Sequence, residues 1–312
     1  GKLLDTGTDP RGQAAHEAVL EASRSGHAKV LEVLLSRGAD VDVDDRDFSS
    51  PRKAITLAAE KGSTESVAIL LRYGADPSTR NTFPFRFSLH GDSPSDYIDN
   101  HKSALMYAAE GGHVGIVQLL LKAGAKPNAE TVYGETALMF GAGNGHTEVV
   151  RILVHGGAKL NATASKKKAM VTRVRRDRYG GTALTYAVRH AYYSMLDVAR
   201  VKGVMIECRE YLGPAYEIVK AYEERKERVG DAAEILGFSL LCGDTSILSR
   251  LIALKALKRG SDVLLYVGGH HNRDTAEAAA LLIHAGADVN AREKKPWDTT
   301  PLMSAAMSGT IR

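Results

Sequence analysis

The 312 residues carry a formal net charge of +4, with 44% apolar residues, 6% aromatic residues and two cysteines. Two cysteines, Cys208 and Cys242, exclude a disulfide-framework scaffold and point to a reducing compartment. No run approaches eighteen apolar residues and no N-terminal stretch has the order of a secretion signal, so a soluble protein of the cytoplasm or nucleus is expected.

The first organised stretch, Ala18–Asp42, reads AVLEASRSGHAKVLEVLLSRGADVD. Two short apolar blocks flank a Gly26-His27 corner, and Gly38-Ala39 ends the second block. Glycine suits the corner because the turn needs backbone angles that a Cβ atom resists. Val30, Leu31, Leu34 and Leu35 share one helical face, which is predicted to be buried. Ala54–Ser78 repeats the plan with corner Gly62 and stop Gly74, Ala104–Asn128 with Gly112 and Gly124, and Gly134–Asn161 with Gly145 and Gly157. Corner and stop glycines are twelve residues apart in all four. Neither block of a unit is long enough to be stable alone, since isolated helices below ~12–15 residues are marginal in water. Each unit is therefore read as an antiparallel helix pair that completes its core against the next copy.

Gly124 and Gly157 are thirty-three residues apart. Together with the Gly-His corners, the Leu-Leu runs and the Gly-Ala-Asp/Lys stops, this period resembles the ankyrin-repeat family. The resemblance implies an all-α solenoid of stacked helix-turn-helix units with β-turn fingers, running as a single array over 14–312. Clear repeats are placed at 14–45, 46–81, 101–130, 131–165 and 178–203, degenerate ones over 204–290, and a partial last repeat at 296–312. Two insertions, 82–100 and 164–177, fall between a stop and the next start, so they are expected to enlarge fingers and leave the helical core intact.

The first insertion alternates Phe83, Phe85 and Phe87 with Pro84 and Arg86, which implies an extended arm with its rings on one side. The rings either fold back on the array or form an exposed patch for a partner. In the second, Lys166, Lys167, Lys168, Arg173, Arg175, Arg176 and Arg178 against Asp177 give +6 over thirteen residues. Such a run is either a solvated loop or a docking site for an anionic surface. The fifth repeat begins at YGGTALTYAVRHA and loses its ending, after which Gly213-Pro214 opens an extra helix with Ala215, Ile218, Val219 and Tyr222 as its apolar stripe. Two degenerate units follow over Asp231–Leu257 and Ser261–Asn290. WDTTPLMSAAMSG then lacks a second helix, so the natural chain is expected to continue past Arg312.

Ankyrin arrays bind other proteins through fingers and inner helices and carry no chemistry of their own. Carried onto this chain, that implies a protein-binding surface. Its finger positions are Tyr133, Glu135, Tyr179 and Trp297, and its inner-helix positions are Lys61, Glu110, Asn144, Arg189 and His190. Aromatics at finger tips offer large contact area at small entropic cost. The histidine of the family's Thr-Pro-Leu-His pattern is replaced by Met106, Met139, Thr185 and Met303, so its local hydrogen bonds are expected to be lost.

Catalytic readings are weak. His270-His271 has no carboxylate at ligand spacing, Gly141–Gly145 follows no strand, and Gly91-Asp92-Ser93 has no paired base. The sequence therefore predicts no enzyme, no cofactor and no metal. It points to a monomeric scaffold, adaptor or regulatory module for an unidentified protein or peptide. The alternatives are docking to an anionic membrane or nucleic acid through 166–178, or service as the targeting domain of a larger enzyme. Without aromatics interleaved in the basic run, base stacking is unsupported and nucleic acid is disfavoured.

Overall fold

The computed structural model describes residues 9–45, 52–80, 101–164, 181–202, 211–229, 245–255, 275–292, 300, 301 and 303. The Phe83–Phe87 arm, the basic loop 166–178, Tyr179 and Trp297 lie outside them. The fold is all-α, with only isolated β-bridges among the described residues. Two compact units are distinguished. One comprises Gly1–Gly141, His155–Ala158 and Ala164–Gly180, the other Ala142–Val154, Lys159–Thr163 and Gly181–Arg312.

In the first unit the helices come in pairs: α1 (Gln13–Ser25) with α2 (Ala28–Ser36), α3 (Ala54–Lys61) with α4 (Thr64–Arg72), and α5 (Ala104–Glu110) with α6 (Val114–Lys122). The first members stack on one another, α1 on α3 and α3 on α5, and the second members do likewise, giving two layers. Ala104 to Ala109 are all buried, so α5 is covered on every side by its neighbours. That explains how seven residues hold a helix that could not persist alone. Burying one Leu side chain, such as Leu70 or Leu120, contributes roughly 1.5–3 kcal/mol.

Each pair is joined through a residue of positive φ. Gly62 has φ of 81°, and a Cβ there would lie 2.5 Å from the imidazole of His113 in the following pair. The corner is thus both a backbone requirement and a seat for the next unit's side chain. The stop is different. Gly124 has φ of 92° with nothing within 4 Å of a Cβ, and the Ala125 N–H closes on the Leu120 carbonyl at 2.9 Å.

Two expectations are corrected here. Of the face assigned to α2, Leu31, Leu34 and Leu35 are buried but Val30 is 51% exposed. The equivalent position in later pairs holds Ser66, Ile116 and Val149, all fully buried, and among the described residues no preceding pair covers α2. Nor are the local hydrogen bonds of the replaced histidine wholly lost. Ser103 donates its N–H to the Met106 sulfur at 3.4 Å, and Thr182 donates its own to Thr185 Oγ1 at 3.3 Å.

The finger bases are short antiparallel contacts. Asp44 bridges Lys53, and Arg80 bridges Ser103, so the two residues that flank the first insertion are held side by side.

α7 (Ala137–Gly143) and α8 (Thr147–His155) follow in the chain as the fourth repeat's two helices. In the second unit, the fifth pair breaks the plan. α9 (Ala183–Lys202) runs unbroken for twenty residues. The position equivalent to corner Gly145 is Ala191, which is fully buried inside the helix. Without glycine there is no low-cost left-handed residue to end the helix, and it continues. The outer partner is supplied by α10 (Gly213–Arg225), which packs on α9. Arg151 of α8 pairs with Glu217 of α10 at 3.1 Å, and Arg225 donates to the Val154 carbonyl. The stretch read as an extra helix therefore takes the place of a regular second helix. Ala215, Ile218, Val219 and Tyr222 are its buried stripe.

α10 stops at Lys226, which has φ of 55°, and the Glu227 N–H closes on the Tyr222 carbonyl as Ala125 does on Leu120. Lysine thus stands where the regular pairs use glycine. α11 (Thr245–Ala253) and α12 (Thr275–His284) continue the series, joined to it by the bidentate Arg250–Glu223 pair and by α11–α12 packing.

These backbone states separate three substitutions. Gly124→Ala should cost about 1 kcal/mol, the left-handed penalty alone. Gly62→Ala should cost about 3 kcal/mol because His113 must also move. Lys226→Gly should raise stability by up to about 1 kcal/mol. Urea-unfolding midpoints of the three variants against the parent chain check this ordering.

Candidate partner-binding surface

The fourth finger is the best-defined projection. Thr131 Oγ1 accepts the N–H groups of Tyr133 at 3.2 Å and Glu135 at 3.1 Å, and donates to the Glu135 carboxylate at 3.2 Å. The Thr131 N–H returns to the Glu135 carbonyl at 2.9 Å, and Gly134 takes φ of 82° to close the turn. Glu135 is buried, so its carboxylate braces the finger from inside and is not presented at the surface. Tyr133 is half-buried, while Val132 is 42% exposed.

On the inner-helix side of the first unit, a basic residue at the finger base reaches a glutamate at the helix end in two consecutive pairs. Arg52 meets Glu60 at 2.7 Å and Lys102 meets Glu110 at 2.6 Å. Both acids are part-exposed, and such pairs are worth about 0–1 kcal/mol each. They orient the surface more than they stabilise it. The Lys102 ammonium also lies 4.7 Å from the Phe140 ring centre and 5.3 Å from that of Tyr107. Lys61 is exposed at the end of α3.

In the second unit Asn144 is exposed beside Gly145. Arg189 is buried, with its guanidinium 5.9 Å from the half-buried Tyr186 ring, so it is not offered to solvent. His190 is half-buried against Gly145, with Nε2 3.3 Å from Ser194 Oγ. Burial holds its imidazole below the usual value and His146 lowers it further, while a hydrogen bond with the Gly143 backbone acts in the opposite sense.

Of the predicted positions, the structure groups Lys61 and Glu110 on the inner side of the first unit. It groups Asn144, Arg189 and His190 at the fourth and fifth corners of the second. Sequence reasoning missed Val132, Lys102 and Phe140. A signal for Phe140 was present: the slot four residues after Ser103, Thr136 and Thr182 holds Tyr107, Phe140 and Tyr186. Among the described residues no group of three or more His, Cys, Asp or Glu could hold a metal, and no helix is long and apolar enough to cross a membrane.

Two tests follow from this geometry. Thr131→Val leaves two finger N–H groups without their acceptor and should cost about 2 kcal/mol, whereas Thr131→Ser should cost less than half of that. Thermal unfolding of both variants checks it. For His190, a folded pKa below the unfolded one means the unfolded state binds more protons. The stability it contributes is complete above about pH 6.5 and lost as pH falls through the lower folded value. His190→Gln should therefore flatten part of the decline in unfolding midpoint measured from about pH 7.5 to about pH 5.

Family comparison places two parts of the chain. Residues 14–46 match the ankyrin repeat, and residues 85–164 match ankyrin repeats in three copies. Ankyrin repeat and SOCS box protein 3 of Homo sapiens is 36% identical over 115 residues, 36% of this chain and 18% of that protein. Probable E3 ubiquitin-protein ligase XBOS31 of Oryza sativa subsp. japonica is 36% identical over 102 residues, 33% of this chain and 19% of that protein. BCL-6 corepressor-like protein 1 of Homo sapiens is 31% identical over 104 residues, 32% of this chain and 6% of that protein. The chain thus spans at most 19% of the length of each of these relatives.

Proposed function

Because this chain is an ankyrin-repeat protein, a family that generally mediates protein–protein interaction, we propose that it is a scaffold or adaptor. Its partner docks on the fourth finger and the inner-helix side of the first unit. The observation that carries this reading is the finger itself. Thr131 and Glu135 hold Val132 and Tyr133 in one turn by internal hydrogen bonds, so docking does not have to order a free loop. Phe140 with Lys102, and Glu110 beside them, supply an adjoining aromatic and charged surface. Ankyrin repeats are generally non-enzymatic binding modules, and we assign no reaction to this chain.

A second reading is favoured by one relative. The chain aligns with 19% of a protein named as a probable ubiquitin ligase. In a longer protein of that kind, the array would act as the targeting part and chemistry would reside elsewhere.

The test is affinity capture with mass spectrometry, comparing the parent chain with a Val132→Ala/Tyr133→Ala/Phe140→Ala variant and with a 166–178 variant whose basic residues are neutral. Partners lost by ten-fold or more with the first variant, at unchanged helicity, support the finger surface. Loss only with the second, steeply dependent on salt and directed at lipid or nucleic acid, replaces it with anionic docking.

A further inference from the structure

We draw no further inference here: the strongest candidate, the apolar side of α2 that exposes Val30 and Val33, is a helix face for which nothing in the structure shows what covers it.

Discussion

Among the described residues, every regular helix pair depends on a residue that can hold a positive φ between two helices too short to survive alone. Gly26, Gly62, Gly112 and Gly145 meet that requirement at the corners, with φ between 71° and 81°. The missing Cβ also leaves room for the side chain that follows. Ser63 packs at Gly26, His113 at Gly62 and His190 at Gly145. One local constraint thus does two things at once: it reverses the chain and it sets the spacing of consecutive pairs. The first members of the pairs, α3 and α5, only eight and seven residues long, can then be buried on nearly all sides, while α4 and α6 bury one face each.

The fifth pair shows the same constraint by its absence. With Ala191 at the corner, the helix has no reason to end and extends to Lys202. Within the second unit the outer helices nonetheless run on from α8, because α10 brings an apolar stripe and a proline start beside it. Asn161 contributes to that continuity. Its side chain accepts from the Tyr222 hydroxyl at 2.9 Å and donates to the Arg228 carbonyl at 2.9 Å. Asn128, thirty-three residues earlier, donates in the same manner to the Gly157 carbonyl at 3.1 Å. The stops of successive pairs are therefore tied by side-chain amides even where the corner glycine is lost.

The proposed surface follows from the scaffold. Residues that look available on paper, Glu135 and Arg189, are drawn inward, while Val132 and part of Phe140 remain outside. Charge on the inner side of the first unit is largely matched within the protein, through Arg52–Glu60 and Lys102–Glu110. Paired charges and partly exposed aromatic residues beside a hydrogen-bonded turn fit the proposed protein recognition better than the tracking of a polyanion, which calls for unmatched positive charge.

The sequence by itself determined the repeat plan: where chains turn, where helices stop and which period stacks them. These are local properties, since a positive φ favours glycine and a buried helical face requires apolar residues at helical spacing. Even the departure of the fifth pair was visible as a lost ending, although the continuous helix that results was not. What only the tertiary structure decided was exposure. Val30 shares the helical face of Leu31, yet it is half exposed, because burial of that slot depends on a preceding pair. Glu135 and Tyr133 are two residues apart in one finger, yet only the tyrosine reaches solvent, because the turn directs the glutamate back to Thr131. The role of α10 was hidden for the same reason: its partners, Val154 and Glu217's partner Arg151, lie more than sixty residues away in the chain.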